Sequence, residues 1–466
     1  MNYEILFRDL ATRRLRVALT GAKGGFGRSL LAQCRAIPAI ELAALCDLDV
    51  PGVQALLVEL GFPAASFCVC TTAEEVRSAQ AAKRTALIAD HALLAALQLD
   101  AVVEATGAPE ASMQISREAI ARGVHVLIAS KETEAVAGPW LCDLARRAGV
   151  VYSTPDGDQP SNLIGLVTWA RVLGLEIVAA GKSSEYDYVF SPANGALYYT
   201  DRTVQVPGLS ALWPLGENIP ARLRARREML KALPQSATPD YCEMNVVANS
   251  TGLEPACDDL SYPLCRISEL ADVFIPEADG GILRRTGVVD VFNCLRRDDE
   301  ASFGGGVFVV VRCNDPVTWQ TLREKGHVVS RNGKYACIYQ PYHLMGVETP
   351  ISLFSAVLHK HPTGGAAQAV HAVMVARTER AFRAGETLSM GGHHHVIAGA
   401  RAQLLPAKAA RAGVAPFYVA ANKRLRCDVP ADTVIILEMI EAEGSELANA
   451  WIESLKIDQP APAGRA

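Results

Sequence analysis

The sequence predicts an α/β protein that begins with a doubly wound parallel sheet, continues with a central α+β domain and ends in a small β domain. Three observations support this prediction. Apolar residues 15–20 run directly into a glycine-rich loop, and strand-like and helix-like segments then alternate as far as residue 154. A second change of composition follows the glycine- and alanine-rich stretch at 362–369. Alternating strands and helices are typical of parallel sheets that are covered by helices.

The first strand and the loop after it carry the most informative motif. The apolar run LRVALT leads into GAKGGFG, which contains Gly21, Gly24 and Gly27. Glycines at such a turn let the chain leave the strand sharply, let the backbone approach a pyrophosphate and let the next helix pack on the sheet. Twenty residues after Gly27, the apolar stretch ELAALCD ends at Asp47. A strand, a glycine turn, a helix and an acid-terminated strand in this order predict a Rossmann dinucleotide pocket.

Asp47 also predicts which dinucleotide binds. A carboxylate at the end of the second strand accepts hydrogen bonds from the adenosine ribose hydroxyls and repels a 2′-phosphate. NAD(H) is therefore favoured, and NADP(H) is the alternative cofactor. The other interpretation of the motif is a βαβ turn that binds nothing. That interpretation leaves the three glycines at a helix start unexplained, since each glycine in a helix costs about 1 kcal/mol relative to alanine.

The composition of the whole chain excludes several classes of protein. A chain of 466 residues is too long for one ordinary core, so we expect two or three domains. The net charge is −5 and the basic residues are dispersed, which argues against a nucleic-acid partner. The chain lacks a run of about eighteen uncharged apolar residues and an N-terminal secretory signal, so we expect a cytoplasmic protein with no membrane partner. None of the twelve cysteines forms a CxxC pair, and we therefore predict no bound metal.

The expected domain boundaries follow the changes in composition. Residues 1–154 are predicted to form the dinucleotide-binding domain. Residues 155–365 are predicted to form the catalytic domain, with an irregular insertion near 191–240 that is rich in proline, arginine and aromatic residues. Residues 366–456 are predicted to form the small β domain, and residues 457–466 a flexible tail.

Polar residues follow two later strands of the predicted sheet. Thr106 and Gly107 end one strand, and Lys131 follows the strand VHVLIAS. Open α/β sheets bind ligands at the carboxyl ends of their strands, so we expect Thr106 and Gly107 to line the nicotinamide side of the pocket. The Lys131 ammonium group is then placed to bind a substrate oxygen or the nicotinamide ribose. The alternatives are a simple strand terminus and a surface lysine. The residues predicted to bind the cofactor are Gly21, Lys23, Gly24, Gly25, Phe26, Gly27, Asp47, Thr106, Gly107 and Lys131.

Three further residues are catalytic candidates. Lys182 follows an apolar run that is expected to enter an exposed polar loop. A lysine at a closed site can have a lowered pKa and exchange a proton with a carbonyl oxygen, and the alternative is an ordinary loop lysine. Asp158 precedes Pro160 at a helix start, where it either orients the substrate or only caps the helix. His343, in YQPYHLMG, is either an acid/base group or a buried structural histidine.

Several segments resemble known families. GAKGGFG, DAVVEATG and GVHVLIASKE resemble the NAD-binding domain of homoserine dehydrogenases, which implies a position for Lys131 beside nicotinamide and substrate. Over nearly the full length, the chain resembles homoserine dehydrogenase-like oxidoreductases with a C-terminal SAF domain. This resemblance is carried by MNYEILFRDLA, STPDGDQPSNL, AAGKSS, VVANSTGLEP, IPEADGGILRRTGVVD and QPYHLMGVETP. The tail segments VMVARTERAFRAGETL and RLRCDVPADTVI resemble the SAF module itself, which has a β-clip fold.

The resemblance implies a reaction class, with one difference. The family includes an enzyme similar to 1-deoxy-D-xylulose 5-phosphate reductoisomerase that uses NADPH. In this chain CDLD stands where a basic segment suited to a 2′-phosphate is expected, which argues against the same cofactor and reaction. The chain also lacks the catalytic half of true homoserine dehydrogenases.

Together these observations predict an NAD(P)-dependent oxidoreductase that transfers hydride between nicotinamide and a small hydroxylated or sugar-derived alcohol or aldehyde. Lys131 and Lys182 are predicted to hold and protonate the carbonyl oxygen, and Asp158 and His343 to orient the substrate. One alternative is a sugar-phosphate reductoisomerase, which requires a divalent metal ion and a phosphate site. Another is an NAD(H)-binding sensor or sugar-binding module without turnover. A homo-oligomer is compatible with each of these functions.

Overall fold

The structure is a computed structural model that describes residues 1–392 and 394–457. The predicted flexible tail therefore lies outside the described residues from 458 onward. The strands are β1 (Leu15–Thr20), β2 (Ile40–Cys46), β3 (Phe67–Val69), β4 (Thr85–Ile88), β5 (Ala101–Glu104), β6 (His125–Ile128), β7 (Tyr152–Ser153), β8 (Ile177–Ser191), β9 (Ala196–Tyr199), β10 (Arg202–Gln205), β11 (Glu254–Pro255), β12 (Leu264–Cys265), β13 (Val288–Arg297), β14 (Val307–Arg312), β15 (Val328–Val329), β16 (Tyr335–Gln340), β17 (Ala372–Thr378), β18 (Met390–Gly391), β19 (Val396–Ile397) and β20 (Ala400–Pro406).

The α-helices are α1 (Tyr3–Leu6), α2 (Gly25–Cys34), α3 (Val50–Glu59), α4 (Ala73–Ala81), α5 (Pro109–Ala121), α6 (Lys131–Ala148), α7 (Gln159–Val172), α8 (Leu209–Leu212), α9 (Ile219–Met229), α10 (Thr238–Thr251), α11 (Leu270–Val273), α12 (Pro316–Glu324), α13 (Thr349–Phe354), α14 (Ala407–Ala410), α15 (Phe417–Ala420) and α16 (Glu446–Ser454). Short 3-10 helices occupy Arg8–Ala11, Ala64–Ser66, His91–Ala96, Ile267–Glu269, Glu277–Asp279, Met345–Val347 and Leu437–Met439, and Ser355–His359 is π-helical.

The chain divides into two compact units. The first unit consists of Met1–Ser161, Leu344–Val370 and the segment that starts at Ala442. The second unit consists of Asn162–His343 and His371–Glu441. The predicted division into three domains stays a prediction.

The first unit contains a parallel sheet of seven strands in the order β3-β4-β2-β1-β5-β6-β7. β1 pairs in parallel with β2 on one side and with β5 on the other. The strands are apolar and largely buried, as expected for a parallel sheet with helices on both faces. The order of the strands reverses at β1 and β5, and such a switch point is where open α/β sheets bind ligands. The predicted doubly wound fold is confirmed.

A buried polar cluster joins α6 to the later part of the first unit. The Glu134 carboxylate accepts hydrogen bonds from the Tyr152 hydroxyl and from Nε2 of Gln368, the latter at 2.7 Å. Glu134 is 1% exposed. Burial outweighs these two hydrogen bonds and raises the pKa of Glu134 to about 7.

The second unit is built on a mixed sheet of nine strands. The 15-residue β8 lies at its centre and pairs in parallel with β13 and antiparallel with β14. Aromatic side chains, among them Phe274, Phe292 and Phe308, fill the core on one face of this sheet. The predicted additional α+β architecture is therefore present in the second unit.

The C-terminal part of the second unit is β-rich, as the sequence predicts. β17 and β20 form an antiparallel pair, and isolated bridges connect residues 375–440. Two asparagines of α10 hold β17 in place: Asn245 Oδ1 accepts the Met374 N–H at 2.7 Å, and Asn249 Oδ1 accepts the Ala372 N–H at 3.0 Å. Backbone N–H groups of β17 are thus satisfied by side-chain amide oxygens of α10. The assignment of this part to the SAF family stays a prediction.

Two segments differ from the sequence predictions. β8 does not end in an exposed polar loop at Lys182, because β13 and β14 pair with it on both sides there. Beyond Lys182, pairing with β13 and β9 continues the strand as far as Ser191. The segment near 191–240, expected to be irregular, contains β9, β10, α8 and α9. Its order has a physical cause, since Tyr188, Phe190 and Trp213 share one aromatic core.

Across residues 1–392 and 394–457, none of the helices combines the length and the apolar character that a bilayer crossing requires.

Candidate functional site

The glycine loop after β1 is packed tightly against the loop after β5. Gly21 has φ +67°, and a Cβ atom there would overlap the carbonyl oxygen of Ala105 and lie 2.9 Å from the Cα atom of Thr106. A Cβ atom on Gly27 would lie 2.6 Å from the carbonyl oxygen of Ala22. These neighbours are backbone atoms that no side-chain rotation can move. Glycine is therefore required at both positions, and the two loops meet at the switch point of the sheet.

Helix α2 begins in this loop and presents its N-terminus at the same edge. It is ten residues long and starts at Gly25, and the Gly24 N–H bonds to the Gly21 carbonyl at 3.1 Å. The first N–H groups of a helix have no acceptor within the helix, and together with the helix dipole they favour an anion. A Cβ atom on Gly25 would meet nothing within 4 Å. Phe26, in the first turn, packs partly buried against the core of the first unit.

Asp47 lies directly after β2 and ties the glycine loop to the start of α3. Its Oδ2 atom accepts the backbone N–H of Lys23 at 2.9 Å, and its Oδ1 atom accepts the backbone N–H of Asp49 at 2.9 Å. The carboxylate is partly exposed and retains lone pairs for further donors. The side chain of Lys23 forms an ion pair with Asp49.

A buried carboxylate that the sequence reasoning missed organises the loop after β5. Glu104 Oε1 accepts hydrogen bonds from the Thr106 N–H at 2.9 Å, from the Thr106 hydroxyl at 2.6 Å and from the Thr20 hydroxyl at 3.3 Å. Its other oxygen accepts the hydroxyl of Ser112. The signal for this role was an acid at the end of an otherwise apolar strand. Glu104 thus fixes Thr106 next to the glycine loop.

The next strand contributes Ser130 and Lys131. Ser130 Oγ accepts the Gly107 N–H at 2.9 Å and so joins the loops after β5 and β6. Lys131 is the first residue of α6, where a cation opposes the helix dipole. Its ammonium nitrogen lies 3.3 Å from Oδ1 of Asp158, which offsets that repulsion. The Lys131 side chain is 28% exposed and the Asp158 side chain 6% exposed.

Asp158 itself occupies the position before α7, as the sequence predicts. Its Oδ1 atom accepts the Gln159 N–H at 3.1 Å, and Pro160 lies in the first turn of the helix. Asp158 is therefore a residue at a helix start and also a partner of Lys131. Its predicted role in orienting the substrate stays a prediction.

Asp156 is a second acid in this loop that sequence reasoning missed. Its Oδ1 atom accepts the Ser161 hydroxyl at 3.1 Å, and its backbone N–H donates to Ser352 Oγ at 2.7 Å. Burial, supported by the nearby Glu348 carboxylate, raises the pKa of Asp156 to about 6. The signal was the repeated acid in the segment PDGDQPS, where only Asp158 was selected.

Residues 344–348 of the first unit lie against both loops. The Gly346 N–H donates to Ser29 Oγ of α2 at 3.0 Å, and the Met345 N–H donates to the Gly157 carbonyl at 2.9 Å. Gly157 has φ +88°, and a Cβ atom there would overlap the Met345 carbonyl. The segment therefore connects α2 with the loop of Asp156 and Asp158.

Lys182 lies in the second unit and in surroundings that differ from the prediction. It is fully buried on β8, 2.7 Å from Oδ1 of Asp240 and in an ion pair with Glu243. Ser184 donates to the other Asp240 oxygen at 2.7 Å. Burial alone would lower the pKa of the Lys182 ammonium, but the two carboxylates outweigh it and raise that pKa above its usual value. The expected lowering of the Lys182 pKa is wrong, because the fold brings Asp240 and Glu243, 58 and 61 positions later in the chain, against the ammonium group.

His343 also belongs to the second unit, directly after β16. Its ring packs on Gly305, where a Cβ atom would lie 2.6 Å from Nε2 and would overlap Cδ2. Gly305 has φ +78°. The imidazole is partly exposed, so it is not the fully buried structural histidine of the alternative. Its predicted catalytic role stays a prediction.

The structure thus brings together, within the first unit, the predicted residues that follow β1, β2, β5 and β6, together with Asp158. These residues fit a nicotinamide dinucleotide. The glycines leave the loop free of side chains, and the N-terminus of α2 suits the pyrophosphate. A partly exposed carboxylate lies at the end of β2, where it can accept the ribose hydroxyls. Within the described ranges, 1–392 and 394–457, the structure holds no group of three or more His, Cys, Asp or Glu side chains arranged to bind a metal ion.

Two family models match the chain. Residues 27–155 match the family model of the homoserine dehydrogenase NAD binding domain, and residues 157–349 match the model of the catalytic domain of oxidoreductase DRL. The chain therefore contains an NAD-binding domain of the homoserine dehydrogenase type and an oxidoreductase catalytic domain. No curated protein matches the chain.

Several solved structures are similar to the chain. UDP-N-acetylglucosamine 3-dehydrogenase GnnA from Acidithiobacillus ferrooxidans is 12% identical, with 75% of this chain and 90% of that chain covered and a TM-score of 0.36. A probable dehydrogenase from Thermotoga maritima is 12% identical over the same shares, with a TM-score of 0.37. DOX-P reductoisomerase, solved with fosmidomycin and magnesium, is 16% identical, with 52% of this chain and 58% of that chain covered and a TM-score of 0.30.

Proposed function

We propose that this protein is an NAD(H)-dependent oxidoreductase that transfers hydride between nicotinamide and a small hydroxylated or sugar-derived alcohol or carbonyl compound. The observation that carries the proposal is the close packing of Gly21 on Ala105 and Thr106, beside Asp47 at the end of β2. A loop that only connects β1 to α2 does not need backbone-to-backbone contact at the switch point. The match of residues 27–155 to an NAD-binding domain supports the same conclusion.

Each part of the loop has a defined task in this proposal. The N–H groups at the start of α2 hold the pyrophosphate, because they are donors without helical acceptors. Asp47 accepts the ribose hydroxyls with the lone pairs that its two backbone donors leave available. Glu104 fixes Thr106 and Ser130 fixes Gly107, so the nicotinamide side is positioned by two hydrogen-bonded loops. The bound cofactor supplies the hydride chemistry itself.

Lys131 is the residue that we propose binds the substrate oxygen. Its ammonium group lies at the edge of the sheet, remains partly exposed and is held by Asp158. A cation fixed at this point stabilises negative charge on a carbonyl oxygen as it is reduced. Lys182 is proposed to act differently from the sequence prediction. With a raised pKa and two carboxylate partners, it orders the sheet of the second unit instead of exchanging a proton.

The proposal is tested in two steps with the full chain. Calorimetric titration with NADH and with NADPH measures binding, and we expect NADH to bind more tightly. A panel of aldehydes, oxo acids and sugars is then screened for oxidation of NADH by the loss of reduced-nicotinamide absorbance. Failure to bind either nucleotide would contradict the proposal, and binding without oxidation across the panel would favour the sensor alternative.

Variants distinguish the site from a general effect. Lys131→Met should lower kcat by about 10²-fold in any reaction found and leave NADH binding intact, because the proposed contact is with substrate. Lys83→Met is a matched control, since Lys83 is an exposed lysine that follows α4 in the same unit. Equal turnover in the two variants would remove Lys131 from the mechanism.

A further inference from the structure

We propose that Asp49 sets the preference of this chain for NAD(H) over NADP(H) by holding Lys23 in an ion pair. The inference rests on the proposed function and assigns the specificity of the same site to a residue pair. The cofactor prediction from sequence rested on Asp47 and on the acidic segment CDLD, without a partner for either acid. The structure shows in addition that Lys23 of the glycine loop forms an ion pair with a second acid, Asp49.

The ion pair has a specific path across the loop. The Lys23 side chain leaves the glycine loop and reaches Asp49, the residue that caps α3. It passes over Gly52, where a Cβ atom would lie 2.9 Å from Cδ of Lys23 and would overlap Oδ2 of Asp49. A side chain at position 52 would therefore displace the pair. The space that Gly52 provides lets the lysine lie against the start of α3.

The charges around the ribose position explain the consequence. The oxygens of Asp47 accept two backbone N–H groups, those of Lys23 and Asp49. In the part of the chain that the structure describes, no Lys or Arg side chain forms an ion pair with Asp47. Lys23 and Asp49 neutralise each other, so the three side chains together carry one negative charge. A 2′-phosphate brought to this place meets net repulsion, whereas ribose hydroxyls meet an acceptor. Lys23 is the cation of the glycine loop, and Asp49 holds it in an ion pair.

Asparagine at position 49 separates this charge effect from a structural effect. Asp49 Oδ1 accepts the Gly52 N–H at 2.9 Å and caps α3. Asparagine caps helices about as well as aspartate, so Asp49→Asn retains the cap and removes only the negative charge. Lys23 then becomes available to an anion, and the net charge of the three side chains becomes zero.

The experiment compares the Kd values of NADH and NADPH by calorimetry for four forms of the full chain. These are the wild type, Asp49→Asn, the double variant Asp49→Asn with Lys23→Met, and Asp90→Asn. We expect Asp49→Asn to improve the affinity for NADPH relative to NADH by about tenfold or more, the effect of one charge-assisted contact. The double variant should lose this gain. Asp90→Asn removes a carboxylate that caps the turn after β4, and it should leave the ratio unchanged because it frees no lysine.

The outcomes separate this inference from the proposed function. If the wild type binds neither nucleotide, the proposed function fails. If the wild type binds NADH but Asp49→Asn leaves the ratio unchanged, the inference is overturned and the function stands. A gain that persists in the double variant would also overturn it, since Lys23 would then not be the carrier.

Discussion

The substitution Gly21→Ala tests the packing of the two loops at the switch point. Alanine at φ +67° adopts the left-handed region, which costs an L-residue about 1–2 kcal/mol. Its Cβ atom also overlaps the Ala105 carbonyl, and overpacking of this kind costs about 1–3 kcal/mol. We therefore expect Gly21→Ala to lower the free energy of unfolding of the first unit by about 2–5 kcal/mol, the sum of these two ranges.

Gly25→Ala is the matched control for this substitution. It lies four residues away in the same loop, and its Cβ atom would meet no atom within 4 Å. We expect its free energy of unfolding to stay within about 0.5 kcal/mol of the wild type. Urea denaturation measures both variants, and hydrogen exchange of peptides from residues 15–46 localises the effect. If Gly21→Ala is as stable as Gly25→Ala, the proposed contact between the loops is wrong.

Three further predictions concern buried charges and the edge of the sheet. Lys182→Met should destabilise the protein by about 3–5 kcal/mol, because it leaves Asp240 and Glu243 buried without their cation. Adding Asp240→Asn and Glu243→Gln should recover part of the lost free energy of unfolding in denaturant titrations. A single variant as stable as the wild type would contradict this account. Glu134 binds its proton more tightly when folded, so its contribution to stability is present below pH 4.5 and is lost as the pH rises through about 7, a change of about 3 kcal/mol. Glu134→Gln should flatten that part of the pH dependence of unfolding, and an unaltered slope would show that another group is responsible. If Lys131 stabilises charge on the substrate oxygen, Lys131→Met should lower kcat by about 10²-fold and leave the Kd for NADH unchanged. Initial rates and calorimetry measure the two quantities. A rise in the Kd for NADH of similar size would instead indicate that Lys131 contacts the cofactor.

Features that are local in sequence were predictable from the sequence. The glycine loop follows β1 directly, and both Asp47 and Lys131 follow the strands to which they were assigned. Apolar strands, turn glycines and strand ends are set by short-range patterning, and the switch point then follows from the alternation of strands and helices. For the same reason the start of α7 beside Asp158 and Pro160 was foreseen.

Features that depend on distant partners were not predictable. The sequence around Lys182 is compatible with a loop lysine. Only the fold shows that β13 and β14 pair on both sides of it and that α10 supplies two carboxylates. Glu104 reads as a strand-end acid until hydroxyls from Thr20 and Ser112 converge on it. Such contacts join residues that are 8 to 84 positions apart, and residue spacing carries no signal for them.

The central claim is that the first unit binds a nicotinamide dinucleotide through the glycine loop and Asp47. A crystal structure of the full chain grown with NADH tests it most directly. We predict density for the pyrophosphate at the start of α2 and for the adenosine ribose at the Asp47 carboxylate. Nucleotide bound at any other place on the chain, with this edge of the sheet empty, would contradict the account.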